Sequence, residues 1–292
     1  MNIGIIGHGF VGKAVSSFYG TDLFYDKFNI SKTFEEVCEK SDCVFVCVPT
    51  DGRDNGYDYA PLIETFEKLE AIEYSKPVLM KSTVEPGKTD EFAEKYSLLE
   101  LYFNPEFLDQ ATAKNDFARP KNPPCHILGV PKKGNYEKAM ILGGTIFKNF
   151  DVPTRVVSAS TAEMFKLATN AFYTTRVIFA NQVYDLCEKF GANYDFIADL
   201  WRQIPRIGFH GYDVFHGGFR GAGGYCLPKD LNSLILAAEE IGVAVPLLKA
   251  VQDVNENFLY KAGKRIHSQL DVKKEIQKEQ PPVFKKEKPF VL

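Results

Sequence analysis

The sequence lacks the cysteine spacings of zinc sites and of small disulfide-bonded domains. Its six cysteines fall mostly in apolar strand and helix patterns, so we expect no metal site and a reducing, cytoplasmic environment. It also lacks an apolar run of the roughly 20 residues that a membrane-spanning helix needs. Met1-Asn2 leads directly into a strand pattern instead of a signal peptide. These absences predict a cytoplasmic protein that does not bind membranes.

An excess of basic residues is missing too. The 292 residues hold 35 Lys and Arg against 38 Asp and Glu, a net charge of −3, which gives no case for nucleic-acid binding. Residues 261–292 are the exception, with nine Lys and Arg against four Asp and Glu. We expect them to form a basic, partly disordered tail. An interaction arm is the alternative.

Strand and helix patterns alternate through the first half of the chain. The run Cys43–Val48 is apolar throughout, as in a strand buried on both faces. The βαβα order predicts a parallel sheet covered by helices, which is a Rossmann-type doubly wound α/β domain over residues 1–155. Residues 110–124 are predicted to be irregular, and one more strand and helix follow them.

One long helical pattern begins near Ser160 and continues to Gly191. Ser160 and Glu163 match the capping-box pattern S-x-x-E. About 30 residues is long for a globular helix and indicates a spine shared between domains or subunits. Further helical patterns follow, so we expect an all-helical central domain over 156–260.

A glycine-rich run follows the first predicted strand and opens a helix. It reads Gly7-His8-Gly9-Phe10-Val11-Gly12, the G-x-G-x-x-G pattern whose backbone amides hold a pyrophosphate. Asp26 closes the second strand, where its carboxylate favours the ribose hydroxyls of NAD over the 2′-phosphate of NADP. The alternative is a tight turn in an α/β domain that binds no nucleotide. The predicted cofactor is NAD, bound by Gly7, Gly9, Phe10, Val11, Gly12 and Asp26.

Polar residues also stand at the ends of later strands. Pro49 and Thr50 follow the third strand, Thr83 the fourth and Glu106 the fifth. Ligands of a doubly wound sheet bind beyond these carboxyl ends. We therefore add Pro49, Thr50 and Thr83 to the cofactor site and make Glu106 a candidate carboxylate of the reaction centre. A loop salt bridge is the alternative for Glu106.

Lys166 and Asn170 are four residues apart on the long helix and so share one face. Both lie among apolar residues, where a lysine is costly unless it has a partner or a function. A cation beside an amide donor suits the stabilisation of an oxyanion. A lysine on a solvated face is the alternative.

Cys226 lies between a glycine run and the predicted start of a helix. A helix N-terminus and the neighbouring Lys229 both favour the thiolate, which is the nucleophilic form. Asp230 supplies a carboxylate four residues later, and Gly223 belongs to the flexible run that lets the backbone approach a ligand. The alternative is a buried structural cysteine beside a helix cap.

Taken together, these motifs resemble the UDP-glucose/GDP-mannose dehydrogenase family, and most closely its UDP-glucose 6-dehydrogenase branch. The resemblance is collinear over most of residues 1–260. Its members are the glycine fingerprint, Cys47-Val48-Pro49-Thr50, Lys81-Ser82-Thr83-Val84, Asn104-Pro105-Glu106-Phe107-Leu108, the pair Lys166 and Asn170, Arg206-Ile207-Gly208, and Gly223-Gly224-Tyr225-Cys226-Leu227-Pro228-Lys229-Asp230.

The resemblance implies NAD-dependent oxidation of a sugar C6 alcohol to a carboxylate in two hydride transfers. Cys226 would capture the aldehyde as a thiohemiacetal and then carry a thioester that water hydrolyses. Lys166 and Asn170 would stabilise oxyanions, while Asp230, Thr83 and Glu106 would hold water and relay protons. The substrate-binding set it implies is Glu106, Phe107, Leu108, Lys166, Asn170, Arg206 and Gly223. A homodimer through the 161–190 helix is implied by the family and by the length of that helix.

The family normally carries a third, Rossmann-like domain that closes over the uridine diphosphate. Residues 261–292 hold too few apolar residues to form one, so we expect this chain to lack it. Two other functions stay open at this point. One is a two-electron β-hydroxyacid-type dehydrogenase, which needs no cysteine; the other is a non-catalytic NAD-binding homologue that acts with a partner chain.

Overall fold

The computed structural model describes residues 1–28, 32–53, 56–108, 113–118, 120, 123–215 and 218–261. They form two compact units. The first contains Met1–Ala171 and Lys229–Val245, and the second contains Phe172–Pro228 and the described residues from Pro246 onward. The predicted domain limits of 155 and 260 stay predictions, and the predicted tail beyond Lys261 lies outside the described residues.

A seven-stranded sheet forms the centre of the first unit. Its strand order is β2-β1-β3-β6-β7-β8-β9, and neighbours pair in parallel except for β7 with β8, which are antiparallel. The predicted Rossmann-type doubly wound sheet is confirmed. The strands are β1 (Ile3–Ile6), β2 (Phe24–Tyr25), β3 (Cys43–Val46), β6 (Pro77–Met80), β7 (Glu100–Phe103), β8 (His126–Val130) and β9 (Thr154–Ser158), and a separate hairpin pairs β4 (Gly52–Arg53) with β5 (Gly56–Tyr57).

Alternating side chains build a core on each face of this sheet. Along β3, Val44 and Val46 pack on one face, whereas Cys43 and Phe45 pack on the other, and all four are fully buried. Helices cover both faces, which explains why β3 is apolar throughout. The helices that lie between β1 and β9 along the chain are α1 (Phe10–Tyr19), α2 (Phe34–Lys40), α3 (Ala60–Ala71), α4 (Lys88–Lys95), α5 (Ala113–Ala118) and α6 (Tyr136–Ile146).

Two local predictions are wrong. The stretch 110–124 contains the helix α5, whose Phe117 is buried against the sheet core. The long helix α7 spans Ala159–Phe190, and Ser158, not Ser160, caps it by accepting from the amide of Thr161 at 3.3 Å. Glu163 instead accepts from the amides of Gly87 and Thr89 at 2.6 and 2.8 Å, at the N-terminus of α4. A distant helix end therefore takes the carboxylate that the local pattern assigned to α7.

The second unit is helical. It contains α7 from Phe172 onward, α8 (Tyr194–Gln203) and α10 (Pro246–Lys261), and α9 (Leu227–Glu240) begins in it. Ala180, Cys187 and Tyr194 belong to its core, together with residues of the segment that follows α8. The predicted helical region with one long helix is confirmed. None of the helices in the described part of the chain is both long and apolar enough to span a membrane.

Candidate functional site

The glycine-rich loop lies between β1 and α1. Gly7 has a φ of +90°, and a Cβ there would lie 2.8 Å from the backbone of Cys47. A Cβ on Gly12 would lie 2.1 Å from the carbonyl oxygen of Gly7. These two glycines therefore let α1 and β3 pack directly against the loop, as a dinucleotide fingerprint requires.

Gly9 serves a different purpose in the same loop. A Cβ on Gly9 would meet nothing within 4 Å, so the position opens onto free space at the N-terminus of α1. Phe10 and Val11 form the first turn of that helix, which has no acidic residue there to repel an anion. Asp26 accepts from the amide of His8 at 2.7 Å and so stands beside the loop. The residues present fit NAD: an open anion cradle lies next to a carboxylate that can take ribose hydroxyls.

We predict that Gly9→Ala weakens NAD binding at least about tenfold while the protein stays folded, because its methyl group fills the cradle instead of clashing with protein atoms. Isothermal titration calorimetry with NAD measures the affinity, and thermal unfolding reports the fold. Gly144→Ala is the matched control, since a Cβ on Gly144 in α6 also meets nothing within 4 Å. Equal NAD affinity in Gly9→Ala and the unmodified protein would contradict this placement of the pyrophosphate.

Hydroxyl groups connect the next two strand ends. Thr50 donates to the carbonyl oxygen of Thr83 at 2.8 Å, and Ser82 donates to that of Val48 at 2.6 Å. Thr50 and Thr83 are buried, whereas Pro49 is exposed. These bonds hold the ends of β3 and β6 together at the edge where a doubly wound sheet binds its ligand.

Lys166 and Glu106 form a buried ion pair. Lys166 Nζ lies 3.1 Å from Glu106 Oε1 and donates to the Glu106 carbonyl oxygen at 2.6 Å. The same ammonium group lies 5.0 Å from the centre of the Phe107 ring, and the amide of Leu108 donates to Glu106 Oε2 at 2.8 Å. The Asn-Pro-Glu-Phe-Leu segment therefore folds around the Lys166 cation.

Asp230 is fully buried and accepts three hydrogen bonds. Asn170 Nδ2 donates to Oδ2 at 2.6 Å, and Oδ1 accepts from Lys229 Nζ at 2.6 Å and from the Tyr57 hydroxyl at 2.7 Å. Burial alone would raise the pKa of Asp230, but the charges of Lys229 and Lys166 and the hydrogen bonds from Lys229 and Tyr57 hold that pKa below its usual value. The carboxylate is thus ionised at neutral pH.

Sequence reasoning missed Tyr57. It lies in the β4–β5 hairpin, 173 residues from Asp230, and no motif marks it. It missed Lys81 as a site group as well. Lys81 donates to Asn104 Oδ1 at 2.8 Å, and burial lowers its pKa to about 8. The sequence feature that could have predicted the Lys81–Asn104 contact is a lysine and an asparagine that directly follow two neighbouring strands.

The second unit holds the remaining predicted residues. Cys226 is half-buried, is not in a disulfide and directly precedes α9. The glycine run before it is anchored by Asn255 of α10, whose Oδ1 accepts from the amide of Ala222 at 2.7 Å and whose Nδ2 donates to its carbonyl oxygen at 2.9 Å. Arg206 is exposed, and a Cβ on Gly223 would lie 2.3 Å from the Phe219 ring. The loop is therefore held in place from within its own unit.

Comparison with known proteins identifies the family. Residues 22–151 match the NAD binding domain of the UDP-glucose/GDP-mannose dehydrogenase family, and residues 160–257 match its central domain. The chain belongs to this family. The predicted cofactor, NAD, is confirmed by the first match.

Within the described residues, no group of histidine, cysteine and carboxylate side chains has the arrangement of a metal site.

Individual relatives agree with this family assignment. The chain is 30% identical over 255 residues to a UDP-glucose 6-dehydrogenase of Rhizobium meliloti and 29% identical over 247 residues to a GDP-mannose 6-dehydrogenase of Pseudomonas aeruginosa. These matches cover 82% and 78% of the chain but only 56% and 54% of the relatives. The chain thus spans about half the length of these curated relatives. A UDP-glucose dehydrogenase structure from Pyrobaculum islandicum superposes with a TM-score of 0.72 at 24% identity, covering 88% of this chain and 68% of that one.

Proposed function

We propose that this protein oxidises a nucleotide sugar at C6 to a carboxylate with two equivalents of NAD, and that UDP-glucose is the substrate. The observation that carries the proposal is the buried cluster of Lys166, Glu106, Asn170 and Asp230, which lies in the same unit as the nucleotide loop. Two buried acids with separate cationic partners suit a reaction that both develops an oxyanion and consumes water. The family and its named relatives support the substrate class.

Bound NAD supplies the hydride acceptor for each oxidation. The cation of Lys166 and the amide of Asn170 stabilise the negative charge that develops on the C6 oxygen, since both donors are desolvated. Glu106 accepts from Lys166 and so orients this donor. Thr83, which follows β6, helps to hold the water that takes up the proton of the C6 hydroxyl in the first oxidation. Both donors are side chains of the protein, so they are already in position before the reaction starts.

Cys226 provides the covalent step. Its thiolate adds to the aldehyde carbon, so that a C–S bond forms while the C=O bond opens to the oxyanion of a thiohemiacetal. Transfer of a hydride from this carbon to the second NAD then restores the C=O bond and leaves a thioester. Water then attacks the thioester carbon, the C–S bond breaks, and the thiolate leaves while the ionised Asp230 takes the proton from water. The position of Cys226 at the start of a helix supports the thiolate form. Phe107, Leu108, Arg206 and Gly223 are proposed to contact the sugar nucleotide.

One experiment tests this function. The purified protein is incubated with NAD and a panel of UDP- and GDP-sugars, and NADH is counted per sugar consumed. Two NADH per UDP-glucose support the proposal, whereas one per molecule indicates a two-electron dehydrogenase. Tight NAD binding without NADH formation indicates a binding protein that acts with a partner chain. A second sugar consumed faster than UDP-glucose would correct the substrate but keep the reaction.

We also propose that two copies pair through the 161–190 helix. Phe172, Phe179 and Leu186 repeat every seven residues along α7, and each is more than half exposed in the second unit. An apolar stripe of this kind on a helix favours packing against another helix. A second copy of the chain presents the same stripe, so a two-fold pairing would cover both.

Phe179→Asp is expected to convert a dimer into a monomer, because it puts a charge at the centre of the stripe. Light scattering at fixed protein concentration measures the mass. Glu188→Lys is the control, since Glu188 is exposed nine residues further along α7 and thus on the opposite side of the helix. A monomeric unmodified protein would rule out this assembly.

A further inference from the structure

We propose that Tyr57 is a positioning residue that orients the carboxylate of Asp230 for the water-consuming step. Its hydroxyl donates to Asp230 Oδ1 at 2.7 Å, beside Lys229 Nζ, while Asn170 holds Oδ2. Asp230 is completely buried, so these donors replace the water that would otherwise solvate its charge. The inference rests on the proposed function, in which Asp230 accepts a proton from water.

The backbone around Tyr57 fixes its hydroxyl in place. Asn232 of α9 donates to the Arg53 carbonyl oxygen at 3.4 Å, so the β4–β5 hairpin contacts the helix of Asp230 at a second point. Gly56 has a φ of +111°, and a Cβ there would lie 3.2 Å from Glu85 Oε1. The hairpin is thus held between α9 and Glu85, and the tyrosine is buried with its ring centre 4.5 Å from Lys229 Nζ. A donor held in this way selects one orientation of the carboxylate.

The hydrogen bond from Tyr57 affects the pKa of Asp230 in addition to the charged groups around that carboxylate. Lys229 and Lys166 are the cations that act on Asp230, and Lys229 also lowers the pKa that burial raises at Glu85. Burial raises the pKa of Tyr57 well above its usual value, so the hydroxyl stays protonated and acts as a donor instead of a proton-transfer group. Loss of this donor removes one of the contacts that keep the pKa of Asp230 low, and that pKa should rise.

The test compares Tyr57→Phe with Tyr59→Phe. Tyr59 is the matched control because its hydroxyl oxygen accepts from the amide of Glu85 at 3.2 Å, not from a group on Asp230, and because it belongs to the same segment. Carbon-13 NMR of carboxyl-labelled aspartate follows the titration of Asp230, whose resonance is identified by its loss in Asp230→Asn. The kcat profile with NAD and UDP-glucose is measured against pH.

We expect Tyr57→Phe to raise the titration midpoint of Asp230 and to lower kcat about tenfold with little change in the KM for NAD. The ionised carboxylate is the active form, so activity is lost as pH falls through its pKa. A raised pKa therefore moves the acid limb of the kcat profile to higher pH. Tyr59→Phe should leave the midpoint and the acid limb unchanged.

A midpoint in Tyr57→Phe equal to that in Tyr59→Phe overturns the inference. If Tyr57→Phe does not fold, 3,5-difluorotyrosine at position 57 replaces it as the probe. That residue keeps the ring and is a stronger donor, so the midpoint should fall, and an unchanged midpoint counts against the inference. If the unmodified protein makes no NADH with any sugar nucleotide, the proposed function fails, while the NMR titration still decides whether Tyr57 acts on the Asp230 carboxylate.

Discussion

Cys226→Ser should stop the reaction after the first oxidation, with at most one NADH formed per active site in a single turnover. A serine hydroxyl is not ionised at neutral pH, so it is a far weaker nucleophile toward the aldehyde than a thiolate. Steady-state formation of NADH should fall by about 10³-fold or more, in line with the loss of a covalent nucleophile. Rapid mixing with absorbance detection measures the burst and the steady state.

Cys125→Ser serves as the control for this substitution. Cys125 is half-buried like Cys226, but it lies next to β8, and burial raises the pKa of its thiol. Its conversion to serine should leave both oxidations intact. Turnover of Cys226→Ser at the unmodified rate, with two NADH per sugar, would exclude the thioester mechanism.

Lys166→Met should lower kcat by about 10² to 10³-fold, because it removes a desolvated cation that stabilises the developing oxyanion. Lys166 is only 3% exposed and is paired with Glu106, so the variant also leaves a buried carboxylate without its counter-charge. That loss should reduce the free energy of unfolding by about 3 kcal/mol. NADH absorbance gives kcat, and urea unfolding gives the stability.

A double variant separates the two effects of Lys166. Glu106→Gln combined with Lys166→Met removes both charges and should regain most of the lost stability, yet it should stay inactive. Lys189→Met, which replaces an exposed lysine of the same helix, should behave like the unmodified protein. Activity of Lys166→Met within threefold of the unmodified value would remove Lys166 from the proposed reaction centre.

Local patterns predicted the repeating elements well. The apolar runs of β1 and β3, the glycine loop and the 32-residue helix α7 were all evident from the sequence, because burial on both sheet faces and a regular helical period leave a direct trace. The placement of Lys166 and Asn170 on one helix face follows from the same period, and the structure adds their separate carboxylate partners, Glu106 and Asp230.

Predictions failed where a long-range contact outweighed a local one. Glu163 matches a capping box for its own helix, but its buried carboxylate accepts instead from the amides of Gly87 and Thr89 at the start of α4. The six residues of α5 are too few to show a helical period in the sequence. The burial of Phe117 against the core stabilises this short helix. The β4–β5 hairpin has strands of two residues, which no alternation can reveal.

The sequence by itself determined the class of fold, the dinucleotide loop and the residue types of the candidate site. These properties depend on the spacing of residues along one strand, one turn or one helix, and that spacing is visible in the sequence without knowledge of the fold. Only the tertiary structure decided which side chains form hydrogen bonds and ion pairs: Lys166 with Glu106, and Asp230 with Asn170, Lys229 and Tyr57. The energies of buried charges depend on partners that lie up to 173 residues away, and those partners meet only after the sheet and helices have packed.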